Sequence, residues 1–176
     1  MSELLPYTVV RAFPGFDVRR YPDCVLVQVH VDTGFTRAAS VGLRSLHRYV
    51  TGTARAAAPL GVSVPVLQEP TAAAGQLVSL VLPVGTDPAV LPRPSDEAVR
   101  IRTVPAHEAA ALSVGGGWSA QRFLERGREL LAEVRAFRLE PLGGVYFARF
   151  GAGRPGASWT LGVFGRNEAL VRVTSA

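Results

Sequence analysis

Four residue pairs in this chain are separated by the same interval of 83 residues: Arg19 and Arg102, Pro22 and Pro105, Phe35 and Trp118, Thr36 and Ser119. A shared interval of this length points to two copies of one supersecondary unit. The surroundings of each pair repeat as well. Val18–Pro22 precedes the alternating run Cys24–Asp32 and a helical pattern opening at Phe35-Thr36, while Ile101–Pro105 precedes His107–Val114 and a helical pattern opening at Trp118-Ser119. Each helix is followed by two strand candidates, 62–68 and 77–84 in the first half, 145–150 and 169–173 in the second. The reading is a twice-repeated β-β-α-β-β unit.

The physical chemistry of the two halves agrees with that reading. Val25, Val27, Val29 and Val31 fall on one face of a strand, with Leu26, Gln28, His30 and Asp32 on the other. In the first helix Phe35, Ala39, Leu43, Leu46 and Val50 form an apolar stripe that ends at Gly52. In the second, Phe123, Leu124, Gly127, Leu130, Leu131, Val134 and Phe137 do the same. Thr36 and Ser119 are suited to N-cap positions, each preceded by an aromatic residue. Helices that are apolar on one side only imply an α+β fold, a strongly curved antiparallel sheet or barrel with the helices packed outside. At 176 residues the chain is expected to form one domain over 1–176, with the Pro-rich stretch 83–94 as an internal connection.

The net charge of +5 invites a reading of nucleic-acid binding. All 19 cationic side chains are arginine, however, and they are scattered without a basic block, so nucleic acid is not expected as a partner. The single cysteine, Cys24, excludes an internal disulfide and a multi-cysteine metal site. Neither a secretory leader pattern nor an apolar run of spanning length is found, so a cytoplasmic protein with no membrane span is the expectation.

Enzyme motifs are thin. There is no nucleophile elbow, phosphate-binding loop or H-E-x-x-H. Gly115-Gly116-Gly117 reads as a strand-to-helix turn. The three histidines are too dispersed to announce a metal site. His30 and His107 read as solvated strand positions. His47 stands at the edge of the first helix's apolar stripe, where a half-buried imidazole either caps a cluster or serves as a ligand.

Several segments together resemble the SOUL haem-binding proteins. Phe16-Asp17-Val18-Arg19-Arg20-Tyr21 is similar to the family's opening Y-E-[IV]-R-x-Y, and Tyr49-Val50-Thr51-Gly52 to the end of its first helix. Pro65-Val66, Leu82-Pro83, Pro92–Asp96 and Gly117-Trp118-Ser119 follow in order, and Arg166-Asn167-Glu168 matches the R-N-E before the last strand. The chain departs from the family at Val62-Ser63-Val64, where a Met-Thr often precedes Pro-Val.

The resemblance implies a twisted antiparallel β-barrel of two pseudo-symmetric halves flanked by two α-helices, binding haem or a related tetrapyrrole in an apolar surface groove as carrier or buffer. Mapped onto this chain, the groove runs along the first helix past Arg44, His47, Arg48 and Thr51, and past a loop carrying Trp159 and Leu161. Arg44 and Arg48, one turn apart, either meet two propionates or form a solvated helix face; His47 is the candidate iron ligand; Trp159 either stacks on the macrocycle or fills the core. Arg166 and Glu168 read as an ion pair that pins the start of the last strand. The family's barrel also resembles the effector-binding domains of bacterial drug-sensing regulators. Two alternatives therefore stand beside the carrier: a binding domain for other planar lipophilic molecules, and a haem-dependent enzyme.

Overall fold

A computed structural model describes residues 3–52, 60–115, 119–150 and 166–174. Ten strands and two long helices follow in the order β1 (Glu3–Leu4), β2 (Thr8–Phe13), β3 (Phe16–Tyr21), β4 (Cys24–Val31), α1 (Phe35–Gly52), β5 (Ser63–Pro70), β6 (Gln76–Val81), β7 (Val99–Val104), β8 (His107–Val114), α2 (Ala120–Ala136), β9 (Pro141–Phe150) and β10 (Arg166–Val173). They form one sheet in the order β2-β3-β8-β10-β9-β5-β6-β4-β7, antiparallel throughout, with β1 added in parallel to β5. The fold is α+β, as expected.

The repeat is visible in the pairing itself. The order β3-β8-β10-β9 is matched by β7-β4-β6-β5, so the first strand of each repeat pairs with the second strand of the other repeat, not with its own. The register is preserved: Asp17 faces Ala111, and their equivalents Arg100 and Gln28 face each other. Residues 16–31 and 99–114 thus make one long antiparallel ribbon, interrupted at Pro22-Asp23 and Pro105-Ala106. Proline has no N–H for the ladder, which is why the interruption falls there.

These two-residue links force the sheet to curl. β3 and β4 stand six places apart in the sheet, about 29 Å if it were flat at ~4.8 Å per strand. The link from Tyr21 to Cys24 spans at most about 11 Å, at ~3.8 Å per residue. The same holds for β7 and β8. No backbone pairing joins the two ends among the described residues; the chain continues from one end of the sheet to the other through these links, giving a barrel-like curl.

Three cores result. Val25, Val27, Val29 and Val31 pack beneath α1 against Leu43, Leu46 and Val50. Val18, Ala110, Leu112, Ala169 and Val171 pack beneath α2 against Phe123, Leu130 and Val134. Inside the curl, Tyr21, Cys24 and Leu26 meet Val104, Ala109, Ala111, Ala148 and Leu170. Phe35, Phe123 and Phe147 touch one another at centroid distances of 5.2–5.4 Å and tie α1 to the α2 half.

Helix ends differ from the sequence reading. α1 starts at Phe35, and the N–H groups of Arg37 and Ala38 donate to the Gly34 carbonyl. Thr36 is therefore inside the first turn and exposed, because burial of Phe35 draws the helix start forward. Ser119 holds the N-cap position of α2, but its side chain makes no capping hydrogen bond. Leu124 and Phe137, assigned to the stripe of α2, are 44% and 41% exposed, although the Phe137 ring still packs on Phe13 and Phe16 at 4.7 and 5.8 Å. Gly116, Gly117 and Trp118 lie outside the described residues.

Candidate functional site

His47 and Arg48 follow Arg44 by three and four residues, and Thr51 follows them by four and three, so the helix brings all four onto one face. All four are exposed, opposite the buried Ala39, Leu43, Leu46 and Val50. His47, expected at a half-buried edge, is instead in the middle of this exposed face. The Thr51 hydroxyl donates to the His47 carbonyl one turn back at 2.8 Å. Arg44 and Arg48 lie one turn apart with His47 beside them. Trp159 and Leu161 lie outside the described residues.

A second feature lies on the opposite side of the sheet. Inside the curl is a cavity of about 240 Å³. Tyr7, Tyr21, Tyr146 and Phe150 supply its aromatic wall, and Arg102, Arg172 and Glu69 its charged groups. Tyr21 and His107 face each other across β3 and β8 and stack at 5.6 Å. His107 is half-buried here, not on an open strand end. Burial lowers its pKa from the usual 6.5, against a hydrogen bond between Nδ1 and the Pro105 carbonyl at 3.0 Å. Burial likewise pushes the Tyr21 phenol up to about 12 and raises the Cys24 thiol, so neither offers an anion at neutral pH. Gln28, expected on a solvated face, is buried and donates to the Ser79 hydroxyl at 2.9 Å. His30, from the same strand, is exposed as expected.

Beside the cavity lies a buried ion cluster. Arg19 donates to Glu168 at 2.8 Å and to Asp17 at 2.8 and 3.2 Å. Arg166 donates to Glu168 at 2.8 Å and to the Tyr7 hydroxyl at 2.8 Å, while the Arg19 guanidinium lies 4.3 Å from the Tyr7 ring centroid. Burial opposes the Arg19 charge, but the bonds to Asp17 and Glu168 outweigh it and hold its pKa above the ordinary value. The arginine of the opening motif thus meets the glutamate of R-N-E, and the expected Arg166–Glu168 pair is present.

The cavity residues were missed in the sequence because strands carrying Arg, Glu, His and Tyr alternately with aliphatics look solvated on one side. The curl hides that side. The usable signal was the pair of tight links: Tyr21, Cys24, Val104 and His107 flank the two prolines and line the cavity together. Among the described residues no three His, Cys, Asp or Glu side chains gather as a metal site, and no helix is long and apolar enough to cross a membrane.

Solved structures share this fold at low identity. The EcmrR C-terminal domain aligns with 97% of this chain and 99% of its own at TM-score 0.59 and 9% identity. A hydrolase encoded by lin2189 from Listeria innocua aligns over 91% and 92% at TM-score 0.58 and 12% identity. SAV2435 bound to tetraphenylphosphonium aligns over 91% and 94% at TM-score 0.51 and 11% identity. At such identities the likeness speaks for the fold alone. No curated protein matches the chain in sequence. The family model described as SOUL heme-binding protein matches residues 2–153, most of the chain, and the chain belongs to that family.

Proposed function

We propose that the protein binds haem or a related tetrapyrrole at the exposed face of α1 and acts as a carrier or buffer. Family membership over residues 2–153 carries this reading. The fold supports it in two ways. Arg44, His47, Arg48 and Thr51 share one accessible helix face, suited to two carboxylates and a metal. The inner cavity, at about 240 Å³, falls below the ~300–1,000 Å³ of pockets for drug-sized ligands. That size favours the outside of the sheet for a tetrapyrrole.

Arg44 and Arg48 would hold the propionates through charge-assisted hydrogen bonds. His47 would hold the iron through its imidazole, and the bound group would supply the metal. No catalytic group is required, since a carrier needs affinity and release.

Titration of the purified protein with haem, followed by absorption spectroscopy, tests the proposal. A saturable 1:1 change is expected, with iron-free protoporphyrin competing. His47→Ala removes the ligated-haem spectrum while retaining part of the affinity. Arg48→Ala weakens haem by about tenfold, the scale of one charge-assisted bond, and leaves a porphyrin without propionates unchanged. No saturable change with either haem or protoporphyrin refutes the reading; unaltered spectra and affinities in both folded variants move the site away from α1.

A further inference from the structure

We infer that the cavity inside the curled sheet is a second binding site, separate from the α1 face, and that it takes a small aromatic anion. Shape and charge both point there. Four aromatic rings, those of Tyr7, Tyr21, Tyr146 and Phe150, line a space of about 240 Å³, which suits one or two fused rings. The walls' neutral polar groups are partly spoken for, since Gln28 and Ser79 bond to each other.

The cations are not. Arg102 and Arg172 line the cavity, and among the described residues neither guanidinium has a carboxylate within 4.0 Å or a hydrogen-bond partner. Arg172 is half-buried in β10 between Val171 and Val173, so its charge gives up part of its hydration without a protein counter-ion in return. One carboxylate, Glu69, also lines the space but pairs with neither guanidinium. Two arginines against one glutamate leave the lining with an excess positive charge. A planar guanidinium binds a carboxylate in bidentate fashion, and the aromatic wall receives the ring behind it. SAV2435, of the same fold, was solved bound to the lipophilic cation tetraphenylphosphonium. The charge of the present lining argues for a ligand of the opposite sign.

The site has a clear history in the repeat. Arg102 is the equivalent of Arg19. Glu168 pairs with Ser113 on β8, and the equivalent of Ser113, His30, pairs with Leu77 on β6. Leu77 therefore stands where the second carboxylate would be, and the ion cluster that neutralises Arg19 has no counterpart around Arg102.

Calorimetric titration with 2-naphthoate, its neutral analogue 2-acetylnaphthalene and tetraphenylphosphonium tests the inference. Saturable 1:1 binding of 2-naphthoate is expected, with the neutral analogue and the cation at least tenfold weaker. Arg172→Gln and Arg102→Gln should each weaken 2-naphthoate about tenfold. Arg102 is exposed, so its variant keeps the fold even where Arg172→Gln does not. Protein saturated with haem should bind 2-naphthoate with unchanged affinity, as should His47→Ala, so failure here is separable from failure of the haem reading. No binding of 2-naphthoate, preference for tetraphenylphosphonium, indifference to both arginine substitutions, or displacement by haem would each overturn the inference.

Discussion

The two halves of the sheet, each built from strands of both repeats, share a backbone plan and differ in how they handle charge inside the curl. In one, Asp17, Arg19, Arg166 and Glu168 form a closed cluster with Glu168 fully buried. In the other, the equivalents of Asp17, Arg19 and Glu168 are Arg100, Arg102 and Leu77, and the arginines face water or the cavity. The same strand positions therefore lock one half and leave the other receptive. Duplication supplies the frame, and loss of symmetry within it supplies the site.

The strongest way to break this comparison is to remove a charge from each half. Glu168→Leu leaves Arg19 and Arg166 short of their shared carboxylate and should cost about 3 kcal/mol in urea denaturation, the low end for a broken buried pair because Asp17 remains. Arg102→Leu should stay within about 0.5 kcal/mol, as for an exposed residue. Equal costs would mean the halves are not differently neutralised.

A smaller contrast lies in how the helices sit. A Cβ on Gly42 would come within 2.8 Å of the Val78 Cβ, whereas one on Gly127 would lie 3.2 Å from a Val145 methyl. Gly42→Ala should lose about 1–2 kcal/mol through overpacking, while at Gly127 the ~1 kcal/mol gain in helix propensity roughly cancels the milder contact. Thermal or chemical melts of the two variants would show whether α1 is the more tightly seated helix.

The mildest effect is in pH. His107 and its equivalent Cys24 flank the two links, and only the histidine titrates in acid. Its native pKa lies below 6.5, so above that value it is neutral whether folded or unfolded. As pH falls below about 6.5 the unfolded chain takes up the proton first, and stability declines until the depressed native pKa is passed. Urea midpoints between pH 8 and 5 should show this loss, and His107→Asn should flatten it.

Much of the fold was legible because it rests on periodicity. The run His107–Val114 coincides with β8, and Cys24–Asp32 exceeds β4 by one residue. The helix stripes were readable through Leu43, Leu46, Leu130 and Val134, since a 3.6-residue period needs no knowledge of partners. Long-range consequences were not readable. Thr36 looked like a cap because local rules cannot see Phe35 being pulled toward Phe123 and Phe147. The α1 face was reached through resemblance, but the inner cavity was not, because alternation cannot tell a solvated sheet face from one that closes on itself.

The crossed ribbon has a consequence for how the chain reaches its native state. Neither repeat contains a complete sheet: β4 needs β7, and β8 needs β3, across some 80 residues of sequence. A fragment ending near Val84 would carry β4 with one bare edge and β3 with no neighbour on its β8 side, an open template for association with other chains. Folding is thus postponed until both repeats have left the ribosome, and the high contact order of the ribbon should make that last step slow compared with formation of either helix.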